Sequence, residues 1–161
     1  MIDWMAILRW IHVLAAASWY GEVIVINFVL LPVLSRFEGE KRKAFLTSVF
    51  PKIFKLASHL SLTTVITGLA MLFHMTQGRL SILFTGRWGI AILIGGILAI
   101  LLTVFHFFIE HRLAKKAGIT DPDASDEAVA EVHMKLKIIP RLGLLVLTAV
   151  FVLMMFAVRG I

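Results

Sequence analysis

The chain has no cysteine. Disulfides, zinc–thiolate centres and thiol chemistry are therefore excluded. Charge is scarce as well. Of 161 residues, 16% are charged and 60% are apolar, whereas soluble domains carry roughly a quarter charged residues. A soluble chain this apolar would expose large adhesive patches. A bilayer removes that penalty, because apolar surface then faces lipid. No internal repeat and no low-complexity tract interrupts the sequence.

What is present is long apolar runs. A membrane-spanning helix needs about 20 mostly apolar residues. Four stretches reach that length, at roughly Trp10–Leu34, Leu56–Met75, Trp88–Ile109 and Ile138–Val158. They predict one all-α domain over 1–161, an integral membrane four-helix bundle with helices at roughly 5–34, 44–76, 87–113 and 126–159. The first stretch is too long for a cleaved signal peptide, and no small-residue cleavage site follows it.

The formal charge of +6 is unevenly placed. Between helices 1 and 2, flanks included, lie Arg36, Lys41, Arg42, Lys43, Lys52 and Lys55. Between helices 3 and 4 lie Arg112, Lys115, Lys116, Lys135, Lys137 and Arg141. The opposite side holds only Arg9, Arg79, Arg87 and Arg159. The positive-inside rule puts the crowded side in the cytoplasm. Both termini then face outward from the cytoplasmic membrane. Topology accounts for the basic balance, so no nucleic-acid partner is expected.

Local signals refine the helix ends. Trp4 and Trp10 stand where interfacial anchors belong. Ala44–Phe54 reads as amphipathic, so helix 2 is expected to start before the bilayer, around Lys41, with Pro51 a kink or a break. Gln77 and Gly78 close it. Ser81–Phe84 is a short apolar segment, and Thr85–Gly86 turn into helix 3. Gly118 and Asp121-Pro122 mark the longest loop. Ser125, followed by Asp126 and Glu127, is a helix start. Pro140 kinks or breaks helix 4.

Six histidines in so apolar a chain need a reason, because ionisable groups in membranes are costly and often functional. Helix direction sorts four of them by depth. His12 and His74 fall toward the outer face, His59 and His106 toward the inner one. His59 and His74 are fifteen residues apart, about 22 Å along a helix, and within roughly 60° of one face. Two stacked b-type haems, each held by histidines from two helices, need such an arrangement. Gly95, eleven residues before His106, would give an outer macrocycle room. The alternative is that each histidine simply bonds a neighbouring helix. His111 and His133 read as solvated surface.

Glu22 sits in mid-helix, where a carboxylate is expensive unless neutral or paired. It is either a catalytic proton donor or acceptor, with a quinone as partner, or a neutral acid bonded to Asn27, Thr63, Thr64 or Thr67. Seven methionines suit copper(I), but they are scattered, and only Met71 and Met75 neighbour a membrane histidine, His74. Core packing is their default.

Helix 1 carries a family resemblance. Arg9-Trp10-Ile11-His12-Val13-Leu14, then Ala17-Ser18-Trp19-Tyr20-Gly21, resembles the first helix of copper-resistance D-type membrane proteins. That clan includes the HemJ-type protoporphyrinogen oxidases, and the membrane part of bacterial membrane-bound urate oxidases begins similarly. Thr67-Gly68 and Thr85-Gly86-Arg87-Trp88-Gly89 are also similar to copper-resistance D-type sequences. The resemblance implies a helical membrane protein in which His12, with Trp19 two turns on, helps to hold haem or metal. Glu22 stands where many relatives have a second glycine. Gly89–Val104 contains no lysine, which the HemJ-type enzymes carry in helix 3, and this departs from protoporphyrinogen oxidation.

These readings converge on a membrane protein that transfers electrons through two b-type haems, between a quinone pool and a partner protein on the outer side. Copper transport or handling, with the same histidines as metal ligands, is the first alternative. A non-catalytic membrane subunit that docks a larger enzyme is the second.

Overall fold

A computed structural model describes the backbone of residues 3–116 and 126–159, with side chains described through 108, at 134 and over 138–158. Among the described residues there is no strand. The helices are α1 (Trp4–Val25), α2 (Leu31–Ser35), α3 (Gly39–Thr76), α4 (Gly86–Lys116) and α5 (Asp126–Arg159). A π-helical segment, Ile26–Leu30, joins α1 to α2, and a 3₁₀ turn, Leu80–Phe84, precedes α4. Four helices are long and apolar enough to cross a membrane: Trp4–Ser35, Gly39–Thr76, Gly86–Phe108 and Ile138–Val158. The protein is thus an all-helical chain with four candidate membrane spans.

The ends form for local reasons. The Asp3 side chain accepts from the Met5 amide at 3.0 Å and caps α1. Gln77 closes α3 in the left-handed conformation, φ 50°. Its amide donates to the His74 carbonyl at 3.3 Å, and that of Gly78 to Phe73 at 3.2 Å, which is a Schellman closure. The expected stop at Gln77-Gly78 is therefore realised. The start of α3 is not where the apolar run suggested. It lies at Gly39, close to the amphipathic start expected around Lys41 and ahead of residue 44, so the charged segment is helical. At 38 residues, α3 is about 57 Å long at 1.5 Å per residue and overreaches a hydrocarbon core of about 30 Å. Pro51 and Pro140 lie inside continuous helices, not at breaks. The expected cap at Ser125 lies outside the described residues, as do the loop residues around Gly118 and Pro122.

Expectation also missed the π segment. Pro32 has no amide to offer the Phe28 carbonyl. Just before it the ladder widens, and the Leu31 amide reaches back five residues to Ile26. Asn27 anchors the widened stretch. Its Nδ2 donates to the Val23 carbonyl at 2.8 Å and to Pro140 of α5 at 2.9 Å.

The spans form a ring in the order α1, α3, α4, α5, with α5 returning to α1. Contacts between neighbours run antiparallel. His12 meets Thr64–Gly68 of α3. Phe54 meets His106 of α4. Tyr20 meets Thr148 of α5 at 3.0 Å. One layer takes a side chain from every span: Trp19, Ala57, Leu102 and Leu147. Small hydroxyl residues share the interior with apolar ones, and many large apolar side chains face outward. Ser58, Ser61, Thr64, Thr67 and Thr103 are buried, while Leu101, Val104 and Leu145 are exposed. Small hydroxyl residues let helices approach closely, and the hydroxyls of the four on α3 bond carbonyls one turn back, as Thr64 does with Leu60 at 2.8 Å.

Candidate functional site

His12 is held on two sides by α3. It projects from α1 onto α3, where its Nδ1 lies 2.9 Å from the Thr64 carbonyl and 3.2 Å from Thr67 Oγ1. A carbonyl only accepts, so Nδ1 carries the proton. Thr67 gives its own proton to the Thr63 carbonyl at 2.6 Å, which leaves its oxygen free to accept. The ring is therefore fixed in one tautomer, and in the neutral imidazole Nε2 presents its lone pair. Among the described residues Nε2 has no hydrogen-bond partner. Gly68 makes the seat possible, because a Cβ there would lie 2.9 Å from His12 Cε1.

The other histidines are placed differently. His106 is half-buried and donates from Nε2 to the Phe54 carbonyl at 3.3 Å. Its ring stands edge-on to Phe54 and Phe107, with centroids 5.9 and 6.4 Å away. His59 is exposed and turns back along its own helix, with Nδ1 2.6 Å from the Lys55 carbonyl. His74 is exposed in the last turn of α3. The expected layers are not assembled. His12 lies at the level of Thr64–Gly68, about 12 Å along α3 from His74 at 1.5 Å per residue. His106 faces Phe54, while His59 is five steps of about 100° further round, some 140° away. The side chains of His111 and His133 lie outside the described residues.

Two further site expectations are corrected. Gly95 opens no space for a macrocycle. It is buried against α5, where a Cβ would meet Met154 Cε at 2.8 Å and Leu153 Cβ at 3.5 Å. Trp19, 2% exposed, is packed in the bundle centre against Ala57 and Leu147. Among the described residues no three His, Cys, Asp or Glu side chains converge as a metal site.

Glu22 defines a second place of interest. A cleft of about 500 Å³ runs between α1 and α3, open along one side and lined by Ser18, Glu22, Ile26, Leu30, Ile53 and Leu56 among others. Ile26 and Leu30 belong to the π segment, a kind of distortion frequent at functional sites. Both Glu22 oxygens are buried without a hydrogen-bond partner. Three of the four partners expected for them are engaged elsewhere: the Thr64 hydroxyl bonds the Leu60 carbonyl, the Thr67 hydroxyl bonds the Thr63 carbonyl and accepts from His12, and the Asn27 Nδ2 holds Val23 and Pro140. Sequence reasoning missed the role of Thr64, Thr67 and Gly68 as the seat of His12. Their signal was three small residues on one helical face.

The fold and these two sites describe a multi-pass helical membrane protein with a positioned imidazole and a buried acid. No protein-family model, no curated protein and no solved structure matches the chain.

Proposed function

We propose that this chain is a b-type haem protein of the cytoplasmic membrane that transfers electrons, with His12 as an axial ligand. The observation that carries the reading is the His12 seat. Histidines that bind metals hold their second nitrogen in a hydrogen bond to a carbonyl or similar group, which sets tautomer and direction. Thr64 and Thr67 do this for His12 and leave Nε2 available. The donor set favours haem over copper. Haem iron takes one or two protein ligands, whereas copper centres built from side chains alone gather about three. The resemblance of helix 1 to copper-resistance D-type proteins supports the same histidine. Haem would supply the one-electron chemistry; the chain fixes the imidazole and excludes water from it.

Orientation follows from charge. The basic first half of α3 and the basic stretches where α4 leads into α5 lie in the cytoplasm on this reading, and both termini lie outside.

An absorption spectrum of the protein, expressed with ample haem, tests the proposal. A Soret band is expected. His12→Ala should remove it, while His59→Ala and His74→Ala should leave it. Absence of the band from the unaltered protein, or its survival in His12→Ala, would overturn the reading.

A further inference from the structure

Glu22 has no part in the haem reading, and it lies ten residues from His12, about 15 Å along α1. We propose that the cleft between α1 and α3 binds the head group of a lipid-soluble quinone or quinol, with Glu22 as its hydrogen-bonding partner.

Depth narrows the occupant. Glu22 lies eighteen residues from Trp4 and thirteen from Ser35, about 27 and 20 Å at 1.5 Å per residue. It is therefore inside a hydrocarbon core of about 30 Å. Phospholipid head groups stay at the interface and do not reach it. An acyl chain reaches it but offers neither donor nor acceptor, and both carboxyl oxygens would stay unpartnered, which buried polar groups rarely are. The occupant must dissolve in the bilayer and still carry hydrogen-bonding groups at mid-depth. A quinone head does both. With the Glu22 carboxyl turned from its buried position into the cleft, a quinone carbonyl accepts from the neutral acid and a quinol hydroxyl donates to the carboxylate.

Shape agrees with this chemistry. A volume of about 500 Å³ lies within the range of roughly 300–1,000 Å³ common for small-molecule sites. Ile26, Leu30, Ile53 and Leu56 supply apolar walls for a ring, and the open side lets a hydrocarbon tail pass into lipid. The proposal does not depend on haem at His12.

The test uses the full chain in phospholipid nanodiscs with a photoreactive azido-quinone bearing a short alkyl tail. Cross-links read by mass spectrometry should fall within residues 18–30 and 53–60. Excess decylubiquinone should suppress them, and oleic acid should not. Glu22→Leu should lower labelling about tenfold or more, the worth of a hydrogen bond to a buried acid. Glu22→Gln, which still donates to a quinone carbonyl, should retain most of it. Cross-links elsewhere, undiminished labelling of Glu22→Leu, or equal suppression by oleic acid would overturn the proposal. The map is made on the unaltered chain, so it decides the matter even where a variant fails to fold. The Soret band of the same sample reads the haem proposal separately.

Discussion

At the scale of single residues, Gly68 and Glu22 make opposite demands on stability. Gly68 gives way to the His12 ring, and a Cβ at 2.9 Å would push the imidazole out of its two hydrogen bonds or part α1 from α3. Gly68→Ala should therefore destabilise the bundle by about 1–3 kcal/mol. Gly96→Ala is the control. Nothing lies within 4 Å of that position, so the gain in helix propensity should stabilise by up to about 1 kcal/mol. Thermal unfolding in detergent compares the two. Glu22 is the reverse case, a buried acid with no partner for either oxygen. Glu22→Leu should raise stability by about 1–3 kcal/mol, as replacement of a strained functional group often does. A fall in melting temperature for Glu22→Leu would show that the acid has a structural partner. The sequence revealed both His12 and Glu22 as costly groups needing explanation. It did not reveal who answers them. Thr63, Thr64 and Thr67 look equally suited to Glu22. The choice is made by depth, since Glu22 lies ten residues and about 15 Å along α1 from His12. That sets the imidazole level with the threonines and the acid level with Ile53, Leu56 and Leu60 of the apolar cleft.

At the scale of elements, the four long helices were legible because apolar length is a direct readout of a bilayer-spanning segment. Their distortions were not. Residues 5–34 read as one uniform helix, and Pro32 was visible, but a shift from four- to five-residue bonding leaves no mark in composition. Asn27 is the residue that fixes the distortion. It spans the Val23 carbonyl on its own helix and the Pro140 carbonyl on α5. Asn27→Leu keeps the volume and removes both donors, which should cost about 1–3 kcal/mol. Asn27→Asp should cost more, because it aims a second acceptor at two carbonyls. Thermal unfolding ranks the pair, and equal stability of all three proteins would mean that α5 does not hold the π segment in place. The prolines taught a related lesson. Each was expected to kink or break its helix, and α3 and α5 run through Pro51 and Pro140 without a break. Tertiary packing of long helices outweighs one missing amide.

At the scale of the whole molecule, alternating helix direction sorted the histidines by depth but did not pair them. Depth depends on position along a helix, which the sequence supplies. Pairing depends on the rotation of each helix about its axis, which packing supplies. The layer of Trp19, Ala57, Leu102 and Leu147 sets those rotations by burying one wide ring among aliphatic partners. It places His59 on the outside and seats His12 between levels. Orientation across the membrane remains a matter of charge, and the lack of cysteine makes it directly measurable. Glu38, in the connection between α2 and α3, and Ser81, in the 3₁₀ turn before α4, are both exposed and lie at opposite ends of α3. Each can be replaced by a single cysteine in an otherwise thiol-free chain. With the basic connections in the cytoplasm, a membrane-impermeant maleimide should label Ser81→Cys in intact cells and Glu38→Cys only after the membrane is opened. The reverse pattern would invert the protein and turn the His74 end of α3 toward the cytoplasm. Glu22 would stay inside the hydrocarbon in either orientation, so the quinone cleft would survive the inversion while any partner at the His74 end would have to be sought on the other side.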